Sequence, residues 1–101
     1  MSRLSLKPEH RKMLIDIFDK YCPKAKIWAY GSRLNGDAHS GSDLDLVVKS
    51  FNSDDVYLSE LKTLLSESNI PFMVDIHEYD YLPKSFQKEI ELDYEVIYPI
   101  L

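Results

Sequence analysis

Two aspartates separated by one residue, Asp43 and Asp45, follow a Gly31-Ser32 pair after ten intervening residues. On a strand, alternation places the two carboxylates side by side on one face. Like charges that close repel, and one carboxyl would keep its proton unless a cation sat between them. Carboxylate oxygens are hard ligands that suit Mg²⁺, which keeps waters and takes phosphate oxygens as further ligands. Alone, Asp-x-Asp is a common pattern, and two solvated strand acids are its ordinary reading. Gly31-Ser32 falls where a strand ends and a short helix begins. Free N–H groups there favour an anion, and glycine lets a phosphate approach the backbone. Ser32 adds a hydroxyl donor. By itself this pair is a plain turn. Asp75 offers a third carboxylate on the next expected strand. If the two strands pair, it lies near Asp43 and Asp45, where it can hold a second metal or accept the proton of an attacking hydroxyl.

These side chains need elements to carry them. Met13, Leu14, Ile17, Phe18 and Tyr21 form one apolar stripe, which predicts a helix from Pro8 to Tyr21. Pro8 suits its first position, and Cys22-Pro23 stops it. A strand is expected from Ala25 to Tyr30, then a short helix from the Gly31-Ser32-Arg33 turn. A small, polar loop follows from Gly36 to Ser42. Asp43 to Lys49 alternates as a strand, with Asp43, Asp45 and Val47 on one face and Leu44, Leu46 and Val48 on the other. A second long helix runs from Ser53 to Ser68, with Ser53 and two following aspartates as its start signal. Phe72 to Glu78 is a third strand, Pro83 to about Leu92 a last helix, and Tyr94 to Leu101 an apolar tail. The order predicts an α/β (α+β) domain: a small mixed β-sheet with helices packed on one face.

With 101 residues, one domain is expected. Net charge is −5 and there is no basic run, which disfavours polymer nucleic acid as a direct partner. The lone cysteine, Cys22, makes neither an intrachain disulfide nor a zinc site, and fits a reducing cytosol. The expected location is cytoplasmic. No apolar run approaches the ~18 residues that span a membrane, and Met1 to Lys7 is no signal peptide. A free edge strand and the apolar tail suit self-association, as a homo-oligomer, or docking of a partner.

The motif in context is Tyr-Gly-Ser-Arg-Leu-Asn-Gly-Asp-Ala-His-Ser-Gly-Ser-Asp-Leu-Asp-Leu, from Tyr30 to Leu46. It resembles the signature of the DNA polymerase β nucleotidyltransferase superfamily. Within it, the short length and the Gly-Ser-Arg…Gly-x-Ala…Ser-Asp-x-Asp-Leu form resemble the minimal nucleotidyltransferases, the MNT or MntA-like group. The resemblance implies a polymerase β-like fold in which Gly31 and Ser32 hold the triphosphate. Arg33 would position phosphates or the motif loop, Gly36 would let the loop turn, and Ser42 would join the nucleotide-binding set. Asp43 and Asp45 would bind Mg²⁺, and Asp75 would complete a carboxylate triad. The implied reaction is in-line attack by a hydroxyl on the α-phosphate of a nucleotide, releasing pyrophosphate. Members of the group are often encoded beside a HEPN protein, an RNase toxin, and the resemblance implies transfer of AMP from ATP to a tyrosine of that partner.

Leu34-Asn35 stands where small or basic residues are frequent, and Asp37 and His39 add polar groups to the loop. These departures leave the spacing intact and the nucleotide preference open. Two other functions compete. One is a non-catalytic module that binds nucleotide or neutralises a toxin by contact; the other is transfer to a small molecule, for which the chain is short. His77 shares the face of Asp75, and its ordinary reading is a strand-face histidine without function. His10 and His39 read as surface, Trp28 and Tyr30 as packing residues, and Tyr79-Asp80-Tyr81 as a contact surface.

Overall fold

The structure, a computed structural model, describes residues 4–36, 42–53 and 55–100. Asp37 and His39, and most of the loop around them, lie outside the described residues. The first helix, α1, spans Pro8–Tyr21 as the apolar stripe predicts. Pro8 opens it, Glu9 and Lys20 complement its dipole, and the Cys22 N–H closes it on Phe18 O. Leu14 and Phe18 on its inner face are fully buried.

Strand β1 (Lys26–Tyr30) leads into the single-turn helix α2 (Ser32–Asn35), and β2 covers Leu44–Ser50. Helix α3 (Leu58–Ser66), β3 (Val74–Glu78), α4 (Lys84–Leu92) and β4 (Glu95–Tyr98) follow. Helix α3 starts five residues later than the Ser53 signal suggests. Asn52 and Ser53 adopt positive φ, at 50° and 74°, so the chain turns there and cannot be helical. The Ser53 start signal is thus part of a turn, and Asp54 lies outside the described residues.

The four strands form one sheet in the order β3-β2-β1-β4. β1 pairs antiparallel with β2 and β4, while β2 and β3 run parallel, so the sheet is mixed. The parallel pair needs a crossover, which α3 supplies. The tail from Tyr94 onward is therefore no loose end. Its Glu95–Tyr98 stretch covers the outer edge of β1, and Ile97 and Tyr98 enter the core. Arg11 of α1 fastens this strand through a 2.9 Å ion pair to Glu95, and the Tyr98 hydroxyl donates to Asp19 at 2.5 Å.

The main core lies between the sheet and helices α1 and α3. Ile27, Ala29, Leu44, Leu46, Val48 and Ile76 meet Leu14, Phe18, Leu61 and Leu65 there. The expected one-sided packing describes these two helices. The other face is not bare, because Val47, Tyr79 and Ile90 form a smaller cluster on it. Val47 shares that face with Asp45 by alternation, so α4 and the 3-10 turn over Tyr79–Tyr81 cover part of the face that carries the aspartates. Tyr79 is accordingly a buried packing residue and not a contact surface, whereas Tyr81 is 84% exposed.

Candidate active site

Strand register builds the site. Tyr30 of β1 faces Asp45 of β2, and Asp45 faces Asp75 of β3, so the three stand in one row across the sheet. The next row on the same face is Trp28, Val47 and His77. Asp75 is thus brought beside Asp45 by the parallel pairing that the sequence left conditional. Asp43 lies just before β2 and is exposed. His77 Nε2 stands 3.0 Å from Asp75 Oδ1, so this histidine has a partner at the site.

Gly31 joins the motif turn to this row. Its φ of +81° is a backbone conformation that side chains rarely adopt. A Cβ there would press on Asp45 Oδ2 and stand 3.2 Å from its Cγ. Both the turn and the carboxylate beside it therefore require glycine. Ser32 opens α2, where Leu34 and Asn35 donate back to Gly31 O at 3.0 and 3.1 Å. The N–H groups of Ser32 and Arg33 precede those bonds and have no helical acceptor. Gly36 closes α2 in the left-handed conformation at φ +92°, with open space around it, so it lets the loop turn.

Arg33 is 6% exposed. Its Nε and Nη2 donate to Ser42 O at 3.0 and 2.6 Å, and Nη1 donates to Ser5 O at 2.8 Å. Its guanidinium also lies 4.1 Å from the Phe72 ring centroid. Arg33 thus grips the end of the motif loop one residue before Asp43. Ser42 contributes its carbonyl to that grip.

Negative charge accumulates along the row. Burial pushes the Asp45 carboxyl up from its ordinary range, the Asp75 and Asp43 carboxylates push it further, and His77 draws it back. Burial, then Asp45 and Asp75, push the Tyr30 phenol up to about 12. Among the described residues, no Lys or Arg pairs with any of the three carboxylates. A cation would relieve this. Among the described residues, no group of three His, Cys, Asp or Glu side chains could enclose a metal by itself. Mg²⁺ does not ask for one: it is held by one or two carboxylates and completes its shell with waters and phosphate oxygens. The residues present fit such an ion.

A cleft of about 250 Å³ opens next to Gly31, with Tyr30 on one side and Phe86 and Glu89 of α4 on the other. Sequence reasoning did not find it, because only the fold brings α4 to this face. Trp28 stacks on Tyr94 at 3.9 Å and packs there as a strand residue, as expected.

The chain belongs to the nucleotidyltransferase family described as "Polymerase beta, Nucleotidyltransferase", which matches residues 12–100. It is an enzyme of the nucleotidyl-transferring class and, within it, an MNT-like nucleotidyltransferase. It is 33% identical over 97 residues to the "Probable protein adenylyltransferase MntA" of Haemophilus influenzae, covering 95% of this chain and 85% of that protein. A solved structure described as a "toxin-antitoxin with AMP-PNP" superposes with a TM-score of 0.70 at 20% identity, covering 89% of this chain and 73% of the other. That likeness bears on the fold. Among the described residues, no helix is long and apolar enough to cross a membrane.

Proposed function

We propose that this protein transfers AMP from ATP to a hydroxyl of a partner protein in a Mg²⁺-dependent reaction, as the antitoxin of a HEPN/MNT toxin–antitoxin pair. One observation carries the chemistry: Gly31, the point of phosphate approach, lies against Asp45 in a row of carboxylates that, among the described residues, no lysine or arginine pairs. The acceptor class rests on the relative named as a protein adenylyltransferase and on the fold shared with a toxin–antitoxin structure holding AMP-PNP. A net charge of −5 also suits a protein acceptor better than a nucleic acid. The lone, buried Cys22 accords with a cytoplasmic setting.

In this reading Asp43 and Asp45 would hold the ion, which would neutralise the charge that builds up on the phosphates. Asp75 belongs to the same set and faces the incoming hydroxyl. The N–H groups at Ser32 and Arg33 and the Ser32 hydroxyl receive phosphate oxygens, while Arg33 and Ser42 hold the loop in place. The acceptor oxygen bonds to the α-phosphorus as the bond to the pyrophosphate oxygen breaks, and pyrophosphate leaves. The hydroxyl proton passes to the Asp75 carboxylate, which His77 orients. Positioning and preorganised charge do most of the work.

Label transfer tests this. The protein is incubated with Mg²⁺, each nucleoside triphosphate labelled at the α-phosphate, and lysate from its source. A labelled protein band that disappears with Asp43→Asn/Asp45→Asn is expected, strongest with ATP. Label in RNA or a small molecule overturns the acceptor class, and neutralisation of the partner by the double variant overturns the need for transfer.

A further inference from the structure

The cleft beside the motif turn lies on the face of the sheet that carries Asp45, and Gly31 is common to both. Its lining has two characters. Phe86 offers an aromatic surface: it remains 38% exposed, and Tyr30 holds it edge-on at 5.9 Å and 87°. Glu89 and the C-cap residue Asp93, further along the same face of α4, make that rim acidic. Phosphate oxygens are repelled by that rim, so the β- and γ-phosphates do not belong here. A flat, uncharged ring with N–H donors suits both features: it stacks on the aromatic side chain and donates to the carboxylate.

We infer that this cleft takes the nucleobase of the bound nucleoside triphosphate, stacked on Phe86. The inference rests on the nucleotidyl-transfer reading of the same site. With the α-phosphate at Gly31 and Asp45, the nucleoside passes over Gly31 toward α4, and the pyrophosphate extends away from it. The rival occupant is the acceptor side chain, which would also find an aromatic partner in Phe86.

Binding distinguishes the two. Calorimetric titrations in Mg²⁺ buffer compare the wild type, Phe86→Ala and Phe86→Trp, each with ATP and with inorganic tripolyphosphate, which has no base. Phe86→Ala should bind ATP roughly 5- to 100-fold more weakly, the range of one lost base–aromatic stack. Its affinity for tripolyphosphate should stay at the wild-type value, and Phe86→Trp should keep its affinity for ATP. Equal weakening of both ligands, or unchanged ATP affinity with a raised KM for the acceptor, overturns the inference. A wild type that binds neither ligand removes the nucleotide reading itself, and the cleft's role with it. Wild-type binding of ATP with no effect at Phe86 removes the cleft's role alone.

Discussion

Gly31 and the Asp45 carboxylate lie so close that position 31 has no room for a Cβ, which would stand 3.3 Å from the Cβ of Asp45 itself. The backbone at Gly31 also has φ +81°. Gly31→Ala should therefore cost about 1–3 kcal/mol from backbone strain alone, read as a lower urea midpoint. Asp45 must also shift, so nucleotide transfer should fall by more than the fraction unfolded explains. Wild-type turnover in the folded variant would show that the close approach is dispensable.

Asp45 is held above its ordinary range by burial and by Asp75 and Asp43. Without metal, its ionised form thus weighs against the fold. That penalty is present above the folded-state pKa and fades as pH falls through it toward the unfolded value. Asp45→Asn should raise the Tm of the metal-free protein at neutral pH, and the gain should shrink in acid. The same variant should lose transfer. A lower Tm in EDTA at neutral pH would contradict the charge argument.

Tyr30 reports on the same charges from the other side of the row. Its phenol is pushed from 10.0 up to about 12. The fold's preference for the protonated phenol is in place below 10.0 and is lost as pH rises through the folded value. Tyr30→Phe should lose less stability over that alkaline window than the wild type. In ultraviolet titration, Asp45→Asn should bring the Tyr30 transition down, since one of its causes is gone.

Arg33 ties the motif to the rest of the fold. It makes three hydrogen bonds to the Ser5 and Ser42 carbonyls and lies over Phe72. Arg33→Met should destabilise by ~2–3 kcal/mol, the scale of hydrogen bonds to a charged group. Arg33→Lys should recover little, because an ammonium has neither the fork nor the plane of a guanidinium. Denaturant midpoints settle this, and full rescue by lysine would contradict it.

Much of this was legible in the sequence, and for local reasons. Pro8 and Cys22-Pro23 bracket α1 with residues whose own geometry starts and stops helices. Alternation along β2 and β3 assigns Asp45 and Asp75 to faces before any pairing is known. What escaped depends on distant contacts. Val47 looked like the partner of two solvated acids, yet Ile90 and Tyr79 bury it. The segment after Tyr94 was legible as apolar, with β-branched and aromatic residues, but only pairing with β1 makes it a strand. Arg33 gave no sign of burial, since charged residues ordinarily stay at the surface. The carbonyls that hold it are 9 and 28 residues away. The late start of α3 turns on positive φ at Asn52 and Ser53, where the acids that follow imitate an N-terminal signal.

The alignment of Asp45 with Asp75 has a consequence for how such a chain can change over generations. Their spacing is set by ladder register, not by the length of chain between them. The turn between Ser50 and Leu58 can therefore gain or lose residues without moving either carboxylate, and drift there is cheap. A single residue inserted within β3 is a different matter. It would rotate Asp75 into the core and bring Ile76 out in its place, converting a carboxylate-bearing face into a greasy one in one step. Insertions and deletions should thus accumulate in the crossover and be purged from the strands, so that the row persists while the chain around it changes length.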